Sequence, residues 1–185
     1  MSAVFGREKR LLELTLKAAI IYDDFDFAAR TVALLERAAV RSEEAMQWDV
    51  RPWRLDLLNR SSLADAALAE TFDADLMVVA LSKTHLLPDA LLEWLEHWAE
   101  RRHVEDAAVM ALCPEETAGP TSSWDRLQEF TAWRGLIFLG SRLPPEEGDS
   151  MDFVHRLWRR KQAVIPTLSW STDQLRSPRH WGINE

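Results

Sequence analysis

Cysteine is almost missing from this sequence: among 185 residues there is one, Cys113. One cysteine excludes an internal disulfide framework and a zinc site built from several thiolates. Cys113 ends an apolar run, and no motif beside it supplies the base that a nucleophilic thiol requires. We therefore expect Cys113 to be a small core residue and not a catalytic group.

Glycine is also scarce, with six residues in the chain, and none of them forms a phosphate-binding loop. The glycines match neither the G-x-G-x-x-G fingerprint of dinucleotide-binding folds nor a P-loop. The G-x-S-x-G elbow of the α/β hydrolases is missing, and the five histidines lack the H-E-x-x-H spacing of zinc proteases. These absences disfavour a dinucleotide, flavin or hydrolase function.

Long apolar runs are missing as well. No run approaches the roughly 20 residues of a membrane-spanning helix, and Glu13 and Lys17 interrupt the apolar part of the N-terminal segment, unlike in a secretion signal. The formal net charge of −8 disfavours binding to nucleic acids or to anionic membranes. We therefore expect a cytoplasmic protein with neither a nucleic-acid nor a membrane partner.

The pattern that is present alternates short apolar runs with longer amphipathic stretches. Continuous apolar runs at 18–22, 76–81, 107–112 and 136–139 are typical of strands buried on both faces of a parallel sheet. A fifth run, 48–58, mixes apolar and charged residues and contains Pro52, which predicts an edge strand. This order predicts a doubly wound, three-layer α/β sandwich, and the edge-like second strand favours a flavodoxin-like, five-stranded parallel sheet of order 2-1-3-4-5.

Polar residues near the starts of the amphipathic stretches predict where helices begin. Ser62, with Asp65 three residues later, has the form of a capping box. Ser123 and Asp149 are candidate caps for the fourth and fifth helices, and Pro88 suits a first helical turn.

The last helix is followed by a tail rich in proline and tryptophan. We expect one α/β domain over residues 1–162 and a C-terminal extension over residues 163–185. The extension contains Trp170 and Trp181, whose large apolar rings suit either packing on the domain or contact with a partner.

A group of acidic residues follows the first apolar run: Asp23, Asp24 and Asp26. In a sheet of order 2-1-3-4-5, ligands bind at the carboxyl ends of the strands, near the switch between strands 1 and 3. Asp23 and Asp24 would lie there, and adjacent carboxylates can hold Mg²⁺. Asp24 or Asp26 could equally cap the following helix, so both interpretations stay open.

The stretch "IIYDD", residues 20–24, resembles the acidic pair that follows the first strand in the receiver (CheY-like) domains of response regulators. The resemblance extends over residues 15–162. It implies that Asp23 and Asp24 hold Mg²⁺, and that a phosphoacceptor aspartate ends strand 3. In this sequence that position falls on Ala80, which has no nucleophile.

The other two functional positions of a receiver are also replaced. The hydroxyl residue that ends strand 4 falls near Leu112 or Cys113, and the lysine that ends strand 5 falls near Gly140 or Ser141. The resemblance therefore implies a degenerate receiver, which is a non-catalytic regulatory module that works without phosphorylation. Apart from Mg²⁺, no cofactor is expected.

Receiver-like domains contact partners through the last helices and strand 5, which points to a protein partner or a homodimer here. The residues on that face and in the tail that suit an interface share a tryptophan side chain: Trp133, Trp158, Trp170 and Trp181.

Two alternatives remain. Asp24-x-Asp26 resembles the first motif of haloacid-dehalogenase-like phosphatases, in which the first aspartate attacks phosphorus and the second is the general acid; this implies a magnesium-dependent phosphatase. Ala28 departs from that motif, where Thr or Val is usual. The other alternative is a flavodoxin-like domain that binds a small molecule.

Overall fold

The computed structural model describes residues 14–41, 46–82, 87–114 and 122–143. In chain order its strands and helices are β1 (Leu14–Tyr22), α1 (Phe25–Arg41), β2 (Met46–Arg54), a 3₁₀ helix (Leu55–Asn59), α2 (Ser61–Thr71), β3 (Leu76–Ala80), α3 (Asp89–Arg101), β4 (Ala108–Pro114), α4 (Ser122–Trp133) and β5 (Ile137–Leu143). The five strands form one sheet in the order β2-β1-β3-β4-β5, and all four pairings are parallel.

This strand order is that of the flavodoxin-like fold, so the fold class predicted from the sequence is confirmed. Several predictions concern residues outside the described ranges: the boundary at residue 162, the extension 163–185, Asp149, and the tryptophans Trp158, Trp170 and Trp181. None of the helices within the described ranges has the length and apolar composition needed to cross a bilayer.

The central strand β3 explains why continuous apolar runs mark this sheet. All five of its residues are buried, because helices cover both faces of the sheet. On one side α2, α3 and α4 form a core around Trp98, and on the other side α1 packs over β1 and β3 with Phe27 and Leu35. Burying such side chains provides much of the free energy that holds the three layers together.

The helix starts of α2, α3 and α4 differ from the sequence prediction, and at α3 the residue Pro88 is the N-cap and not part of the first turn. The helix α2 begins at Ser61, with Arg60 as its N-cap and no side-chain capping bond, so the predicted capping box at Ser62 is wrong. The reason is that the carbonyl of Arg60 already accepts hydrogen bonds from the N–H groups of Leu63 and Ala64, which leaves Ser62 inside the first turn. Likewise α4 begins at Ser122, so Ser123 lies within the helix and does not precede it.

A set of polar contacts fixes β1 and β2 to the loop that leads into β3, at the amino-terminal edge of the sheet. The carboxylate of Asp73 forms ion pairs with Lys17 and Arg51, the second at 3.2 Å. Asp75 is buried and exchanges two hydrogen bonds with the backbone of Lys17, each 2.8 Å long. These contacts hold β3 in register against β1.

Cys113 lies near the end of β4, opposite Arg142 of β5, and is partly buried. Tryptophan side chains take up much of the core, as Trp94 and Trp98 are both buried on α3. Their ring nitrogens donate hydrogen bonds to the carbonyls of Ala64 and Thr71, at 3.1 and 2.9 Å. Because each buried N–H has a partner, these rings join α3 to α2 without leaving a polar group unpaired.

Candidate functional site

The acidic residues predicted to lie at the carboxyl edge of the sheet do lie there, and Asp24 has a clear structural role. Its Oδ1 accepts a hydrogen bond of 2.9 Å from the backbone N–H of Phe27, and its carbonyl accepts one of 3.0 Å from Ala28. Asp24 is therefore the N-cap of α1, and its negative charge also suits the positive end of the helix dipole.

Asp23 spans the switch between β1 and β3. Its Oδ1 accepts hydrogen bonds from the backbone N–H of Ser82, at 2.8 Å, and from the Ser82 hydroxyl, at 3.3 Å. The residue that follows β1 is thus tied to the loop that follows β3. The sequence had indicated Asp23 only as a metal ligand, whereas the geometry gives it a role in closing the crevice between the two strand ends.

A magnesium ion needs several oxygen ligands at one point. Asp23 and Asp24 are neighbours, but each accepts a backbone N–H, and Asp26 is exposed on the first turn of α1. Within the described ranges, no three His, Cys, Asp or Glu side chains come together as a metal-binding group. Metal binding by the pair therefore stays a prediction.

The three replaced receiver positions are neighbours across the sheet. Ala80 at the end of β3 lies opposite Leu112 of β4, and Leu112 lies opposite Ser141 of β5; Cys113 follows Leu112. Ala80 is fully buried, with 0% of its surface exposed. The position at which a receiver would carry its phosphoacceptor is here a methyl group inside the core, which can accept no phosphoryl group.

Trp133 is the member of the predicted interaction face that the structure describes. It ends α4 with 73% of its surface exposed, at the amino-terminal edge of the sheet. The guanidinium carbon of Arg134 lies 4.3 Å from the centre of its ring, and Arg134 donates a hydrogen bond of 2.9 Å to Glu100 of α3. The stacked cation restricts the indole and holds it at the surface.

Arg102 joins the ends of α3 and α4 beneath this surface, a role that sequence reasoning missed. It donates to the carbonyl of Ala99 and, at 3.0 Å, to the carbonyl of Arg134. Burial lowers the pKa of Arg102, and the nearby charge of Arg134 lowers it further. Helix carboxyl ends carry partial negative charge and favour such a cation, but no sequence motif distinguished Arg102 from the other arginines.

A groove of about 450 Å³ lies near the same edge, between α2 and the segment that follows α3. Its lining residues are Asp65, Leu68, Ala69, Phe72, Arg101 and His103. The rings of Phe72 and His103 meet edge to face with their centres 4.6 Å apart. His103 is exposed, and because its aromatic partner is 31 positions away in the chain, no local motif indicated this contact.

Comparison with known proteins gives structural neighbours only. No protein-family model matches the sequence, and no curated protein matches it. Among solved structures, rubredoxin oxygen:oxidoreductase from the anaerobe Desulfovibrio gigas is 12% identical, with a TM-score of 0.49 over 82% of this chain and 37% of that one. The Flv1 flavodiiron core from Synechocystis sp. PCC6803 is 14% identical, with a TM-score of 0.46 over 78% and 36%.

A flavodoxin-like domain from Synechococcus sp. is 19% identical, with a TM-score of 0.44 over 75% of this chain and 99% of that one. The present chain spans little more than a third of the length of the first two proteins. The fold assignment rests on the strand order itself, and these neighbours identify no function for the chain.

The residues at the switch between β1 and β3 do not suit the phosphate of a flavin mononucleotide, the ligand that flavodoxin binds there. A phosphate at a helix N-terminus is held by free backbone N–H groups and favoured by the helix dipole. Here the N–H of Phe27 is taken by Asp24, and Asp23 and Asp26 add negative charge beside it. The described residues at this edge therefore do not suit a phosphate at the position where flavodoxin holds one.

Proposed function

We propose that this chain is a non-catalytic regulatory module of flavodoxin-like fold that acts through protein–protein contact and without phosphorylation. The observation that carries the proposal is Trp133, exposed at the end of α4 and stacked against Arg134. Tryptophan and arginine are the residue types most often found where an interface gains its binding energy.

The carboxyl edge supports the non-catalytic part of the proposal. A phosphoryl-transfer site needs a nucleophile, and Ala80 has none. Asp24, the candidate nucleophile of the phosphatase alternative, has one oxygen occupied by the N–H of Phe27. Its capping role accounts for an acidic residue at this position without any catalysis.

We further propose that the partner is a second copy of the chain, joined at the edge of β5. Within the described ranges β5 pairs with β4 alone, and its residues Ile137 to Gly140 carry no charge. The other edge strand, β2, contains Pro52 and several charged side chains, which are features that block strand pairing. An edge strand with few charged side chains can pair with its own copy across a two-fold axis.

Sedimentation velocity over micromolar concentrations tests this proposal. We expect the wild-type chain to form a dimer and Trp133→Ala to weaken it by about tenfold, as is usual for an exposed interface tryptophan. Phe25→Ala is the matched control, because Phe25 is 75% exposed but lies near the carboxyl ends of the strands, whereas Trp133 lies near their amino-terminal ends. A wild-type chain that stays monomeric throughout, or equal weakening by both variants, would contradict the proposed interface.

A small-molecule-binding function of the same fold is the second candidate. The observation that favours it is the groove between α2 and the segment after α3, whose volume of about 450 Å³ lies within the range of ligand pockets. This groove is remote from the carboxyl edge, where the carboxylates of Asp23 and Asp24 are already bound to protein donors.

A further inference from the structure

We propose that the groove between α2 and the segment after α3 binds an elongated zwitterion. Such a molecule has a carboxylate at one end, an apolar body and an amino group at the other end. This inference rests on the second candidate function above and is independent of the interface at Trp133. It follows from where the groove holds its charges and from what lies between them.

The groove carries one full charge of each sign, and the two are not paired with each other. Asp65 lies on α2 and Arg101 ends α3, and both line the groove. Neither side chain has a hydrogen bond or an ion pair within the part of the chain that the structure describes, although nearby arginines such as Arg102 and Arg134 do. Two unpaired opposite charges in one groove suit a ligand that also carries both signs.

The wall formed by α2 sets the separation of these charges. Asp65, Leu68, Ala69 and Phe72 line the groove at intervals of three, four and seven residues, so they form one stripe along the helix. Seven residues of helix rise by about 10 Å. The apolar side chains of Leu68 and Ala69 therefore lie between the acidic end at Asp65 and the aromatic end at Phe72.

The basic end of the groove is fixed in place by the backbone. The N–H of His103 donates a 2.8 Å hydrogen bond to the carbonyl of Phe72, and the two rings pack edge to face. His103 and Arg101 therefore stand at the Phe72 end of the stripe. A ligand carboxylate would meet guanidinium and imidazole N–H donors there, and guanidinium binds carboxylates in a fork of two hydrogen bonds.

The amino group of the ligand would then lie at Asp65, after an apolar body that covers Leu68 and Ala69. A ligand without net charge matches the groove, because Asp65 and Arg101 cancel each other at neutral pH. A ligand with two negative charges would be repelled by Asp65, and a ligand with two positive charges would be repelled by Arg101. The proposed ligand class is therefore an ω-amino acid, or another zwitterion of similar length.

The experiment is a titration of the ¹⁵N-labelled full chain, followed by the NMR shifts of its backbone amides. The probe is 8-aminooctanoate, whose charges are separated by about 10 Å, similar to the length of the stripe. Octanoate and octylamine each carry one of the two charges and serve as matched ligands. We expect 8-aminooctanoate to shift the amides of the groove and to bind about tenfold more tightly than either matched ligand.

Variants assign the two charges. Arg101→Gln and Asp65→Asn are exposed substitutions that replace a charged group by a neutral amide, and each is expected to raise the Kd for 8-aminooctanoate about tenfold. Arg37→Gln on α1 and Glu93→Gln on α3 are exposed controls outside the groove and are expected to leave the Kd unchanged. The amide spectrum of each unliganded variant reports whether it is folded.

Two results would overturn the proposal and are distinguishable. If none of the three ligands shifts the groove amides, the groove is not a small-molecule site and the second candidate function fails with it. If octanoate binds as tightly as 8-aminooctanoate and Asp65→Asn has no effect, the groove binds small molecules but the zwitterion assignment is wrong.

Discussion

At the scale of single residues, Asp73 is a side chain whose charge state contributes to folding. Burial raises the pKa of Asp73, but the hydrogen bond from Lys17 and the positive charges of Arg51 and Lys17 outweigh burial and lower it below the ordinary value of 3.8. Because the pKa is lower in the folded chain, the stabilisation is complete above pH 3.8 and is lost as the pH falls through the folded value.

We therefore expect Asp73→Asn to lower the free energy of unfolding by about 1 kcal/mol at pH 7 and to have little effect at about pH 2. Urea denaturation at both pH values measures this difference. Glu36→Gln is the control, since Glu36 is exposed on α1 and its side chain has no ion pair within the described ranges. An Asp73→Asn penalty that is equal at both pH values would show that the charge is not its cause.

Side chains whose hydrogen-bond partners are distant in the chain limit what the sequence could predict about the site. Asp23 and Asp24 were located at the carboxyl edge because strand ends follow from apolar runs. Their partners could be predicted only when they were local. Capping by Asp24 was one of two open interpretations, whereas the bond from Asp23 to Ser82 joins residues 59 positions apart and depends on the sheet being formed.

At the scale of elements, α1 depends on its N-cap. Asp24→Ala removes the oxygen that accepts the N–H of Phe27, and we expect a loss of about 1 kcal/mol in the free energy of unfolding. Asp24→Asn keeps that oxygen and should remain close to the wild type, with or without Mg²⁺. Chemical denaturation with and without Mg²⁺ makes the comparison.

The control is Asp26→Ala, which removes an exposed carboxylate from the same helical turn and should cost only a few tenths of a kcal/mol. Equal losses in Asp24→Ala and Asp24→Asn, together with a stabilisation of the wild type by Mg²⁺ that both variants lack, would identify Asp24 as a metal ligand and not simply as a cap.

Elements also differ in how well the sequence predicts them. A continuous apolar run predicted each of β1, β3, β4 and β5, and the mixed run 48–58 predicted the edge strand β2. The reason is clearest for β3, because a strand that is buried on both faces needs apolar side chains throughout. Helix starts were less predictable. A Ser followed by an acidic residue indicated a cap at Ser62, but the preceding 3₁₀ helix leads directly into α2 and supplies the carbonyl of Arg60 in place of a side chain.

At the scale of the whole molecule, the net charge of −8 acts against the proposed dimer. Two like-charged chains repel each other, and salt screens this repulsion with a Debye length that falls to about 8 Å at physiological ionic strength. We expect self-association to become tighter when the salt concentration rises from about 20 to about 150 mM. Sedimentation at both concentrations measures it, and weaker association at the higher salt would mean that ion pairs dominate the interface.

The sequence predicted the order of the sheet, since an edge-like β2 and four continuous apolar runs fit few topologies. It did not predict where the two surfaces lie that we propose to bind a ligand or a partner. Attention to the carboxyl edge follows a general rule of open α/β sheets, but the groove and the exposed Trp133 both lie toward the amino-terminal edge. The position of both surfaces depends on how the ends of the helices pack together, and hydrophobic periodicity in the sequence does not predict that packing.

Arg102 has a consequence for how these two surfaces behave together. It is bonded to the carbonyl of Ala99 at the end of α3 and to that of Arg134 after α4, so neither end can unravel without depriving a partly buried cation of an acceptor. The two helix ends are thus expected to open as one cooperative unit. Arg101 of the groove adjoins Arg102, and Trp133 of the proposed interface adjoins Arg134. A ligand that makes one of these surfaces rigid therefore reduces the conformational entropy that the other surface loses when it binds its own partner.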